Sequence, residues 1–128
     1  MIWHKENIEN EYAHLWIENK ILFFKYKSEV FIDLDAARII VADRISLQKE
    51  KAYPVLCYTE GITSSDKTAR DYLSLKGVIL TKAISYLASP TVSLAMLHFY
   101  LEKNKPAVPS EIFTSEFLAR KFLEPFID

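Results

Sequence analysis

The stretch Tyr53–Leu73, YPVLCYTEGITSSDKTARDYL, decides the fold. Tyr53 to Thr59 is apolar on both faces, the pattern of a central strand covered on two sides. A polar loop follows, holding Gly61 and the pair Ser64-Ser65. A helix then opens near Asp66 and runs to about Lys76, where Gly77 stops it. Strand, loop and helix in that order predict an α/β sheet. In such sheets ligands and partners gather at the carboxyl ends of the strands, where helix N-termini point outward.

Working toward the N-terminus, the spacing predicts a helix from about Leu34 to Lys49. Asp33 is its N-cap, because a carboxylate there accepts a bond from a free first-turn amide. Leu34, Ala37, Val41 and Ile45 form the apolar stripe, widened by Ile40, with Arg38, Asp43, Arg44 and Lys49 mostly off it. Before the helix, Glu11 to Ile17 and Ile21 to Lys27 alternate as strands joined by Glu18-Asn19-Lys20, a tight turn in which Asn19 tolerates positive φ. Residues 1–10 read as a loose lead-in. Toward the C-terminus, Ala83 to Ala88 is a further strand. Ser89 and Pro90 suit the start of a third helix that runs to about Lys103, and Asn104-Lys105-Pro106 ends it. A brief strand around Ile112 precedes a last helix to about Phe126. Thr114 or Ser115 caps it, and Phe117, Leu118, Phe122 and Phe126 are expected to face inward. The expectation is one α/β domain over residues 11–128: a mixed sheet of four to five strands, an opening antiparallel hairpin and four helices.

Composition narrows the function classes. At 128 residues with half of them hydrophobic, the chain buries a real core, and disorder is excluded. A net charge of −1 provides no basic excess to neutralise phosphates, so no nucleic-acid partner is expected. No apolar run approaches the roughly 20 residues of a membrane span. The N-terminus MIWHKENIEN lacks the apolar core of a signal peptide, and the single Cys57 allows no internal disulfide. A cytoplasmic location is expected.

The element order, with Asp66-Lys67-Thr68-Ala69-Arg70 opening the helix after the central strand, resembles the STAS family of SpoIIAA-like, anti-anti-sigma-factor domains. The resemblance covers about Glu11 to Phe126, and Ala-Arg-Asp-Tyr-Leu with a later Asn-Lys-Pro is similar to a bacterial branch of SpoIIAA-like proteins with no assigned activity. STAS domains carry an Asp-Ser-Ser-Gly-like helix start whose second hydroxyl is phosphorylated in the SpoIIAA-like members. By this resemblance Asp66 matches the family aspartate and Thr68 falls at the phosphoacceptor position. Lys67 stands for the first serine, Ala69 for the glycine, and Cys57-Tyr58 where an acidic residue often lies. The resemblance implies a non-enzymatic regulatory module. It would bind a protein partner through a loop holding Gly61, Ser64, Ser65, Asp66, Lys67, Thr68 and Arg70. A phosphate on Thr68 would add about −1.5 to −2 charges beside a helix N-terminus, where the dipole tolerates them. The plainer reading of Ser64, Ser65, Asp66 and Thr68 is helix capping. Arg70 is placed to pair with Asp66 or to meet the partner.

Little else points to catalysis. His4, His14 and His98 sit at no metal-ligand spacing, and neither a metal nor a cofactor is expected. Cys57, inside the central strand, reads as a small buried hydrophobe. No nucleophile-elbow pattern surrounds Ser64 or Ser65, and two glycines make no phosphate-cradling loop. No enzyme is expected. The third helix is apolar over more than one face, through Val92, Met96, Phe99 and Tyr100 among others. Its surplus meets neighbouring helices, or forms a patch at Met96, Phe99 and Tyr100 for a dimer or an apolar ligand. STAS domains are similar to the lipid-binding SEC14-type fold, so the alternative is a small-molecule or lipid carrier with a cleft between the second and third helices. The aromatic-rich hairpin (Tyr12, Trp16, Phe23, Phe24, Tyr26) needs cover, and a homodimer is the favoured assembly.

Overall fold

A computed structural model describes residues 6–90 and 92–128, the side chains of residues 92 and 93 excepted. Eight strands and four helices follow one another: β1 (Asn7–Glu9), β2 (Ala13–Glu18), β3 (Ile21–Tyr26), β4 (Val30–Ile32), α1 (Leu34–Gln48), β5 (Tyr53–Tyr58), β6 (Ile62–Ser65), α2 (Lys67–Lys76), β7 (Thr81–Leu87), α3 (Val92–Asn104), β8 (Ser110–Phe113) and α4 (Glu116–Leu123). A 3₁₀ turn over Glu124–Phe126 closes the described chain. The main sheet has six strands in the order β1-β2-β3-β5-β7-β8, and β4 pairs with β6 in a separate two-stranded sheet. β1, β2 and β3 are antiparallel neighbours, whereas β3, β5, β7 and β8 run parallel.

The predicted α/β architecture with its opening hairpin stands, and the sheet is larger than the four to five strands expected. Within the expected lead-in, Asn7–Glu9 is an edge strand, with Asn7 opposite Trp16. Residues 1–5, with His4, lie outside the described residues. The polar run Ile62–Ser65, expected as loop, is strand β6 on β4. The alternating faces of the hairpin are as expected. Leu22 and Phe24 join Val55, Cys57 and Ile84 beneath α1, while Ile21 and Phe23 join Leu56, Ala119 and Leu123 beneath α4. Asn19 and Lys20 take φ of 52° and 65°, the left-handed pair of a two-residue hairpin turn.

Two helix faces differ from expectation. In α1 the buried positions are Ala36, Ala37, Ile40, Val41, Arg44, Leu47 and Gln48. The 37-41-44-48 row is buried, with Ala37 beside Ala69 of α2 and Arg44 bonded to Gly77 at its end, so Arg44 lies on a buried stripe rather than off it. In α4, Ala119 and Leu123 are buried, while Phe117 and Leu118 are 67% and 52% exposed. Facing Ala119 and Leu123 to the sheet turns positions 117 and 118 to the far side. Ser115 is the cap of α4, its Oγ accepting from the Leu118 amide.

The hairpin aromatics are covered within the chain. Trp16 stacks on Phe23 and Tyr58 at centroid distances of 5.3 and 6.4 Å, and Tyr12 and Tyr26 pack against the β4–α1–α2 cluster. Two barely exposed aromatics, Phe23 and Phe24, therefore need no second chain.

Candidate functional site

The helix start at Asp66 is built as its sequence requires. Asp66 is the N-cap of α2, and its Oδ1 accepts from the Ala69 amide at 2.9 Å. The same oxygen accepts from the exposed Thr68 hydroxyl at 3.0 Å. Lys67 points outward and pairs with Asp71 one turn on, at 2.8 Å between exposed groups, a contact of small energetic weight. Arg70 does not pair with Asp66. Its guanidinium reaches back to the Ser65 carbonyl at 2.6 Å and to Ser65 Oγ at 3.3 Å. Gly61, half-buried, fits under the backbone at Lys27 and accepts from the Val30 amide at 2.9 Å. The 61–70 segment is therefore fastened by backbone-directed contacts, with Ser64, Lys67 and Thr68 exposed upon it.

Behind this segment lies a cavity of about 130 Å³ between the sheet and the layer of α1, α2 and α3. Tyr26, Cys57, Ile84 and Tyr86 form its sheet wall, and Ile40, Val41 and Arg44 come from α1. Leu73 of α2 and Met96, Leu97 and Tyr100 of α3 close it, with Ser65 of β6 on its margin. The expected apolar patch on α3 is thus divided. Met96 and Tyr100 face the cavity, whereas Phe99 is 52% exposed, with Lys103 over its ring at 6.0 Å.

The polar groups on the cavity wall are few. Arg44 is 4% exposed. It donates to Gln48 Oε1 and, at 3.2 Å, to the Gly77 carbonyl. Burial lowers its pKa to about 10, so it stays charged at neutral pH. Among the described residues, no hydrogen bond joins the hydroxyls of Tyr26, Tyr86 or Tyr100 to another group. The Tyr86 and Tyr100 rings meet edge to face at 6.4 Å. Arg44 is expected off the apolar stripe by its charge, and the fold puts it on a buried one. The signal was its position in the 37-41-44-48 row, where a cation on an apolar stripe is informative.

Burial also raises acids on both faces of the sheet. The Cys57 thiol is pushed up to about 12, so Cys57 is an inert core residue rather than a nucleophile. Tyr58 is raised to about 12 by burial and by its bond to Glu116, and Tyr26, Tyr86 and Tyr100 are raised by burial. The unfolded chain sheds these protons first, from about pH 9 for the thiol and pH 10 for the phenols. Stability is therefore full below pH 9 and lost as pH rises. By pH 11 Cys57 alone contributes a loss of about 3 kcal/mol, against a gain of about 1 kcal/mol from Arg44, whose folded pKa is depressed. The urea midpoint is expected to fall between pH 8 and pH 10.5, and to fall less in Cys57→Ala. A midpoint that rises over this interval would reverse the assignment.

Among the described residues, no cluster of His, Cys, Asp and Glu could hold a metal ion, and no helix is long and apolar enough to cross a membrane. His98 is exposed, and His14 lies against Trp16 at 5.0 Å.

Residues 15–127 match the family described as "Domain of unknown function (DUF7793)", and the chain belongs to it. No curated protein matches the sequence. The fold is similar to the crystal structure of an uncharacterized DUF3478-family protein with a SpoIIAA-like fold from Shewanella loihica PV-4. The TM-score is 0.62 at 10% identity, over 91% of this chain and 98% of that one. At that identity the likeness concerns the fold, and it agrees with the SpoIIAA-like architecture read from the sequence.

Proposed function

We propose that this member of the DUF7793 family is a non-enzymatic regulatory module that docks a partner protein through residues 61–70 and is switched by phosphorylation at Thr68. The observation that carries the proposal is the build of that segment. Asp66 and Gly61 are fastened to backbone groups and Ser65 is held by the Arg70 guanidinium, so the exposed Ser64, Lys67 and Thr68 side chains sit on a fixed frame. A partner meeting such a frame loses little entropy in ordering it. The Thr68 hydroxyl is open to a kinase and lies in the first turn of α2, where a phosphate is tolerated by the dipole. The same phosphate would place charge and bulk against any docked surface.

Affinity capture from the native host with wild type, Thr68→Ala and Thr68→Glu tests this reading. A partner retained by wild type and Thr68→Ala and reduced at least about tenfold with Thr68→Glu is the expected result, since like-charge contact at an interface costs several kcal/mol. Thr68→Glu itself is expected to keep its stability within about 0.5 kcal/mol of wild type, because the site is exposed and at a helix N-terminus. The same proteins from all three baits, with no phosphate on Thr68, would return Thr68 to plain capping.

The cavity favours a second reading, in which the module carries a small apolar ligand. Its closing side chains Leu73, Met96 and Tyr100 lie on α2 and α3, but its other walls are the sheet and α1, so it is a space under those helices and not a cleft between the two of them. Ser65, which Arg70 holds, belongs to both the cavity margin and the docking segment, so the two readings are compatible.

A further inference from the structure

We propose that the cavity takes a small apolar carboxylate, alkyl or aryl, with Arg44 receiving the acid group. The proposal rests on the second reading above, that the cavity holds a ligand, and adds its charge. A guanidinium carries five N–H donors, and Arg44 spends two of them, on a Gln side-chain oxygen and a backbone carbonyl. Both acceptors are neutral. Among the described residues no carboxylate forms an ion pair with Arg44. The Gly77 carbonyl ends α2, and a helix C-terminus supplies only about half a negative charge. A cation 4% exposed on an apolar wall, with most of its charge unanswered, is a rare arrangement. An anion entering the cavity would answer it with charge-assisted, two-point geometry suited to a carboxylate.

The remaining wall defines the body of the ligand. Ile40, Val41, Ile84 and Leu97 are apolar, and a space of about 130 Å³ suits roughly six carbons, by comparison with a cavity of about 150 Å³ that holds benzene, a longer tail leaving through its open side. The hydroxyls of Tyr26, Tyr86 and Tyr100 have no hydrogen bond to the described residues and leave room for one polar substituent on the body.

The test uses the full chain, labelled at Ile, Leu and Val methyls, titrated with octanoate, benzoate and their neutral counterparts 1-octanol and benzyl alcohol. Expected is saturable binding of at least one acid, with methyl shifts at Ile40, Val41, Ile84 and Leu97. Its affinity should exceed that of its alcohol by roughly tenfold, the scale of one charge-assisted contact. Octanoate against benzoate separates an alkyl from an aryl body. In Arg44→Met the preference should vanish or invert while the alcohol still binds. In Arg44→Lys it should persist in part. Equal binding of acid and alcohol by wild type would overturn the carboxylate and leave the cavity reading intact. No binding of any probe, or shifts confined to the surface, would overturn both. The wild-type comparison decides even where Arg44→Met folds poorly.

Discussion

Replacing Gly61 by alanine is expected to destabilise the fold by about 3 kcal/mol, a large effect for one added methyl group. A Cβ at position 61 would lie 2.0 Å from the Lys27 carbonyl oxygen, 2.7 Å from its carbon and 2.9 Å from the Tyr26 oxygen. All three are backbone atoms at the end of β3, and none can rotate away. The φ of Gly61 is not positive, so the requirement is for space and not for a left-handed torsion. Relief would part the β3 end from the segment after β5. It would strain the Val30–Gly61 hydrogen bond and, with it, the β4–β6 pair that carries Ser64 and Ser65. Gly→Ala at a site with room stabilises by about 0.4–1 kcal/mol through the unfolded chain. The sign of the change is therefore diagnostic. A fall in urea midpoint at unchanged slope is expected. A rise would mean that the Lys27 carbonyl can yield, and that Gly61 does not hold the docking segment in place.

The second large effect is expected at Gln48. This side chain is 1% exposed and joins three groups. Its Nε2 donates to the carbonyls of Lys51 and Leu80 at 2.9 and 2.8 Å, and its Oε1 accepts from Arg44. Leu80 stands at φ 61°, uncommon for a residue with a side chain, and its carbonyl also accepts from the Tyr53 amide. Gln48 thus fixes the turn into β7 and the end of α1 together. Gln48→Leu keeps most of the volume, yet takes its donor from the Lys51 carbonyl, leaves the Leu80 carbonyl only the Tyr53 amide, and removes one of the two acceptors of a buried cation. A cost of about 3–4 kcal/mol is expected. Adding Arg44→Met removes the stranded charge and should recover about 1–2 kcal/mol. A double-mutant cycle by chemical denaturation measures this recovery. Strictly additive losses would show that Arg44 does not depend on Gln48 for its burial.

Both expectations concern residues whose roles depend on distant partners, and the same divide runs through the fold. Asp33 was legible as a cap, and Asp66 and Ser115 as candidates among their neighbours, because capping is a contact between residues three apart. The hairpin turn at Asn19-Lys20 and the two-sided apolar strand Tyr53–Tyr58 were legible for the same reason. The strand Ile62–Ser65 was not. Ile-Thr-Ser-Ser has no apolar alternation, and it becomes a strand only because Val30–Ile32 lies beside it. On α4 the stripe was assigned from its largest side chains, whereas packing on the sheet selected the small Ala119 with Leu123 and left Phe117 in solvent.

The candidate site divides likewise. Thr68 and Asp66 could be placed from the chain alone, since their relation to the start of α2 is local. That Arg70 holds Ser65, that Met96 and Tyr100 turn from Phe99 toward a cavity, and that Arg44 closes it became visible only with the chain folded. The amino-acid sequence by itself determined the order of the four helices and of the strands β2, β3, β5, β7 and β8, and the two faces of the central strands, all of which follow from chemistry within a few residues. Tertiary structure alone decided the second sheet, the space denied to a side chain at Gly61 and the cation on the cavity wall. Each of these is set by what a second, sequence-distant segment brings against the first: a pairing edge, a carbonyl, or the lack of a carboxylate.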